Sequence, residues 1–212
     1  MAYYKVWEFV SSLCRSSVSN PFTQQHLVVV LALSTHQLSA IAAHAERVYP
    51  EECCGLMVGK IESQEGVSYK SIVELVALDN HWTPDAIAPK SETLESETLE
   101  SKTPADNPTE SPQTKQRRYY IDPKDMLQVQ RQARDQGLTI VGVYHSHPDH
   151  VAEPSECDRA LAWPEYAYII VSVKRGKAVD IKNWALDSDH QFQPEAMKVS
   201  PSSAKDRMPV SA

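Results

Sequence analysis

The chain lacks any long hydrophobic run: no stretch approaches the ~20 apolar residues of a membrane-spanning helix, so no membrane partner is expected. It also lacks a basic excess. With 21 Lys and Arg against 28 Asp and Glu the formal net charge is −7, and no basic stripe is available to displace the counterions of nucleic acid. Cysteine is sparse. Cys14, Cys53, Cys54 and Cys157 make no disulfide framework in a chain of 212 residues. Cys53 and Cys54 are neighbours, and neighbours in a strand point to opposite faces. Reduced thiols in a cytoplasmic protein are the simpler reading. The apolar run at 27–33 lies too far inside the chain, without a basic lead or cleavage site, to be a signal peptide.

The order of local signals predicts a single α/β (α+β) domain over residues 26–187. Residues 1–25 form an extension in which Val6, Trp7, Phe9, Val10 and Leu13 suggest a short amphipathic turn. The β-branched run at 27–33 has strand length. Ser34 with Gln37 forms a capping box that starts a helix, and Pro50 stops it. Leu38, Ile41, Ala42, Ala45, Val48 and Tyr49 define its inward stripe, which leaves His36 and His44 in solvent. Strands are expected at 53–58 and 67–78. From about 84 to 117 the composition turns acidic and Pro-punctuated, with Ser-Glu-Thr-Leu-Glu repeated at 91–95 and 96–100. This segment holds too little apolar surface to offset the entropy of ordering, and reads as a disordered insertion in a surface loop. Asp122 and Pro123 open a second helix that Gly137 closes. Strands at 138–144, 166–173 and 178–186 follow, the last two joined by a turn at 174–177, and residues 188–212 read as a flexible tail. Helices packed on a mixed sheet are the outcome.

The chemistry concentrates between residues 141 and 158. His145 and His147 stand two apart, so in an extended chain both imidazoles point to the same side. Pro148 ends the ladder for want of an N–H. Ser155 and Asp158 then open a short helix, Ser155 near its N-cap. Two neutral imidazoles and a carboxylate are a common three-ligand set for catalytic zinc. Taken alone, His-x-His is a weak signal, and Ser155 with Asp158 is also a plain capping pair.

The joint arrangement, His-x-His-Pro, six residues, Ser, two residues, Asp, resembles the motif of the JAMM (MPN-plus) metalloproteases, with every fixed position matched by His145, His147, Pro148, Ser155 and Asp158. The segment Glu51, Glu52, Cys53, Cys54, Gly55 looks like the upstream strand of bacterial members. Matching on Cys54 and Gly55 puts the family's glutamate at Glu52, with Glu51 the neighbour that a register error would choose. The resemblance spans roughly residues 27–186. It implies an MPN fold related to cytidine deaminases, Zn2+ on His145, His147 and Asp158, Glu52 as general base and Ser155 as oxyanion donor. It further implies hydrolysis of a peptide or isopeptide bond after the C-terminal Gly-Gly of a ubiquitin-like protein, a sulfur carrier in bacterial-type members. Physically, a bound zinc ion lowers the pKa of its water to about 7, and a carboxylate off the metal takes and returns the proton. His150 is the substitute should a ligand be misassigned, and the segment Asn80, His81, Trp82 offers a rim. Two other classes compete: a non-catalytic MPN-type module that binds a ubiquitin-like partner, and a zinc deaminase, against which the chain lacks a Pro-Cys-x-x-Cys pattern.

Overall fold

The structure is a computed structural model that describes residues 28–84 and 114–202. The N-terminal extension and nearly all of the acidic insertion lie outside those residues. The elements run β1 (Val28–Ser34), α1 (Thr35–Val48), β2 (Cys54–Gln64), β3 (Val67–Leu78), α2 (Pro123–Asp135), β4 (Thr139–Pro148), α3 (Glu156–Leu161), β5 (Ala167–Lys174), β6 (Lys177–Leu186), β7 (Phe192–Pro194) and β8 (Ala196–Ser200). They form one mixed sheet, ordered β7-β6-β5-β4-β2-β3-β1-β8, the α/β architecture expected.

Helix α1 begins where its sequence says. Ser34 Oγ accepts from Gln37 N, and Gln37 Oε1 accepts from Ser34 N at 2.8 Å, which satisfies two backbone donors reciprocally. One face of the sheet packs on α1 through Ile41 and Ala45, which meet Leu31, Met57, Val141, Ile169 and Val171. The opposite face packs on α2, where Val129 and Ala133 meet Leu56, Val58, Ile140 and Val143. The central strands β4 and β5 pair in parallel and are almost wholly buried, as a sheet covered on both faces requires.

The inward face of α1 is wider than the expected stripe: Leu38, Ile41, Ala45, Val48 and Tyr49 pack on the core as expected, and Gln37 and His44 join them. Gln37, Ile41, His44 and Ala45 are its buried residues. His36 is exposed as expected, but His44 is not. Its Nδ1 lies 3.0 Å from the hydroxyl of Tyr144 on β4, so a polar partner inside the fold holds the imidazole there.

A second correction concerns the C-terminus. Residues 188–200 do not form a flexible tail. β7 pairs antiparallel with β6, and β8 pairs parallel with β1. These are the two ends of the sheet, and only Glu195 separates β7 from β8. One continuous segment therefore pairs with both ends, and the sheet returns on itself. Glu195 fastens the junction: its Oε1 lies 3.4 Å from Lys70 Nζ of β3, and its Oε2 accepts from Asn183 Nδ2 of β6 at 2.8 Å. Further on, Ser202 Oγ accepts from His36 N at 3.0 Å, taking up a donor in the first turn of α1.

Candidate metal centre

Strand β4 carries His145 and His147 on its α2-facing side, in step with Val143. α3 brings Asp158 to them. Ser155 caps that helix, its Oγ accepting from Asp158 N at 3.2 Å, while Asp158 Oδ2 accepts from Ser155 N at 2.6 Å. The capping box thus fixes the carboxylate that the site uses. His145 Nε2 and His147 Nε2 stand 3.1 Å apart, His145 Nε2 lies 3.3 Å from Asp158 Oδ1, and His147 Nε2 lies 3.4 Å from Asp158 Oδ2. All three side chains are buried.

These distances suit an ion. Ligands held tetrahedrally about 2.0–2.1 Å from zinc stand about 3.3 Å from one another, close to the triangle seen here. The tautomers suit it as well. His147 Nδ1 lies 3.0 Å from the carbonyl of Val151, so the neutral ring carries its proton there and leaves Nε2 a lone pair. His145 Nδ1 is buried and has no hydrogen-bond partner among the described residues. That ring is held instead by Tyr119, stacked on it with centroids 4.4 Å apart. Burial lowers the pKa of His145 and favours the neutral, ligating form. Burial works against a charged His147 too, but Asp158 and Glu52 outweigh it and raise its pKa. Burial likewise opposes an ionised Asp158, and the two imidazoles overcome it, holding the carboxyl far below its usual range.

Glu52 lies just before β2, which pairs with β4 so that Cys54 faces His145 in register. Its neighbour Glu51 is exposed, whereas Glu52 is 5 % exposed. Burial pushes the Glu52 carboxyl up to about 8, with His147 pulling down and Asp158 pushing up, so it shares the electrostatic field of the triad. A cavity of about 380 Å³ opens beside it, lined in part by His44, Asp79, His81 and Lys115. His150 is exposed, with its Nε2 3.0 Å from Arg117 Nη2. Among the described residues, His145, His147 and Asp158 are the one group of acid, thiol and imidazole side chains close enough to share an ion.

Tyr119 and Asn80 carry more of the site than their sequence context suggested. Tyr119 is recognisable only as the return of aromatic residues after the acidic insertion, and Asn80 only as part of a rim. No spacing rule signals either one.

Comparison with known proteins agrees with the geometry. The chain belongs to the family described as prokaryotic homologs of the JAB domain, which matches residues 34–187. A CysO-cysteine peptidase of Mycobacterium tuberculosis is 26% identical over 160 residues, 75% of this chain and 84% of that protein. A Desampylase of Haloferax volcanii is 40% identical over 55 residues, 26% of this chain, and the match spans 40% of the relative's length. A solution structure of a protein from Desulfitobacterium hafniense shares the fold, with a TM-score of 0.58 at 21% identity, covering 82% of this chain and 96% of that one.

Proposed function

We propose that the chain is a zinc-dependent peptidase. It hydrolyses the peptide or isopeptide bond after the C-terminal Gly-Gly of a ubiquitin-like, sulfur-carrier protein in the cytoplasm. The observation that carries this is the triangle of His145, His147 and Asp158 with edges of 3.1–3.4 Å, beside a buried Glu52. Family membership supports the class, and the names of the mycobacterial and haloarchaeal relatives support the substrate. Free thiols at the buried Cys53 and Cys54 fit a reducing compartment.

His145, His147 and Asp158 would hold the zinc, which supplies Lewis acidity and an acidified water near neutral pH. Glu52 takes the proton of the attacking water and delivers it to the departing amine. Burial raises its carboxyl to about 8, which favours holding the proton between the two transfers. Ser155 Oγ accepts from Asp158 N through a lone pair, so its own O–H remains to donate to the oxyanion. Glycines are the residues that pass a narrow groove whose walls exclude larger side chains.

The test is Glu52→Gln, assayed on a ubiquitin-like carrier extended beyond its diglycine. The variant is expected to keep about one zinc per chain and to lose hydrolysis. Cleavage at the wild-type rate would remove Glu52 from the base role. A zinc-loaded wild type that binds the carrier yet never releases the downstream residue would instead indicate a non-catalytic binding module.

A further inference from the structure

Residues 114–121, the end of the acidic insertion and the residues just after it, lie across both halves of the candidate site. The carbonyl of Lys115 accepts from Glu52 N at 2.7 Å, and the ring of Tyr119 stacks on His145. One side chain ties this segment down. Asn80 Nδ2 donates to the carbonyl of Glu52 at 3.1 Å and to that of Arg118 at 2.9 Å. Asn80 Oδ1 accepts from Tyr120 N at 3.2 Å and from Trp82 N at 3.0 Å. His81 N adds a bond to the carbonyl of Tyr120 at 3.0 Å. Both amide protons and both lone pairs of Asn80 are therefore used. They join the loop after β3, the loop before β2 and the segment over β4.

We propose that Asn80 is a positioning residue for this site. Its carboxamide seats residues 114–121 as a strap that sets Glu52 on one side and presses Tyr119 onto His145 on the other. The two histidines are thus oriented by different means. His147 has the Val151 carbonyl on its far nitrogen, whereas among the described residues His145 has no such partner and depends on the stacked ring. Partners of metal-bound histidines that fix ring orientation typically govern affinity by 10–100-fold. Here that duty passes through Tyr119 to Asn80. Asp loses the donors and Ala loses both donors and acceptor, while Gln carries the same carboxamide one methylene further out. The activity half of this assignment rests on the peptidase reading, while the metal half does not.

The experiment compares full-length wild type with Asn80→Ala, Asn80→Asp, Tyr119→Ala and Tyr119→Phe. Three properties are read: hydrogen exchange of residues 114–121, zinc affinity by chelator competition, and kcat and KM on a diglycine-extended carrier. In Asn80→Ala the strap amides should exchange faster, zinc should bind about tenfold more weakly, and kcat at saturating zinc should fall at least tenfold with KM within twofold. Asn80→Asp, which keeps the acceptor arms, should fall between it and wild type. Tyr119→Phe should bind zinc as wild type does, and Tyr119→Ala should reproduce the affinity loss. Wild-type exchange and wild-type zinc affinity in Asn80→Ala would overturn the proposal, as would equal weakening in both Tyr119 variants. Should wild type hydrolyse no such carrier, the peptidase reading fails alone, since exchange and affinity still judge Asn80. Thermal melts identify any variant that fails to fold, and for such a protein the Tyr119 pair decides the metal half.

Discussion

Glu52 and His44 are both buried ionisable groups near the same cavity, and burial drives their pKa values in opposite directions. Desolvation favours the neutral form of each, so the carboxyl rises to about 8 while the imidazole falls to about 4. For His44 burial is the largest cause, Arg47 adds to it, and Asp79 opposes both. The consequence for stability has a definite sign. An unfolded chain protonates this histidine below about 6.5, whereas the folded one resists until about 4. Its contribution is therefore intact above pH 6.5 and lost as pH falls towards 4. Between pH 7 and 5 the loss should be about 2 kcal/mol. Glu52, raised to about 8, contributes with the opposite sign over the same range, so the His44 part is read as a difference. Between pH 7 and 5 the stability of His44→Gln relative to wild type should rise by about 2 kcal/mol, as urea unfolding of both proteins at a series of pH values would measure. A variant with the wild-type slope would show that His44 is not the titrating group. Helical periodicity left His44 in solvent because it registers only the apolar stripe. The partner that draws it inside, Tyr144, is one hundred residues away in sequence, and no local pattern records such a pair.

Two capping boxes begin helices, and they allow a cap to be separated from a catalytic hydroxyl. Ser34 and Ser155 each accept from the N3 backbone amide, and the backbone N–H of each donates in return to the side chain of Gln37 or Asp158. Ser34→Ala should cost about 1 kcal/mol of stability and leave zinc content and hydrolysis unchanged. Ser155→Ala should cost a similar amount and also lower kcat by about 10²–10³, the effect of losing one oxyanion donor. Equal hydrolysis by the two variants would confine Ser155 to capping. Both boxes were legible because a cap is a local device, its partners three residues apart. The candidate triad could be picked out for the same reason, since a strand period and a capping interval relate His145, His147 and Asp158, which the structure brings together. Glu52 needed the family resemblance, as its approach to the triad depends on β2 pairing with β4 across ninety residues of chain. Asn80 and Tyr119 act through backbone carbonyls and a ring face, which leave no mark in spacing.

Across the whole molecule, the ends of the sheet are joined by a polar segment that composition alone assigned to a frayed tail. β7 and β8 expose most of their residues, so they carry little of the apolar signal by which strands are recognised. Their anchor is electrostatic and non-local, the pair Lys70 and Glu195, whose side chains are 9% and 6% exposed. Removing one member strands a buried charge, and Glu195→Ala should destabilise by about 3–5 kcal/mol. Lys70→Met combined with Glu195→Leu should restore much of that loss, because an apolar pair leaves no charge uncompensated. Urea unfolding of the single and double variants would check this. Additive losses would show that the two side chains do not act as a unit.

Strand edges are where one polypeptide most readily recruits another, because each offers a row of unsatisfied amides and carbonyls. In this fold residues 192–200 seal two such rows at once. A copy shortened before Phe192 would keep every residue of the candidate metal triad and yet present β1 and β6 together as templates for neighbouring chains. Strands β7 and β8 thus guard the sheet against such recruitment from a position remote from its chemistry.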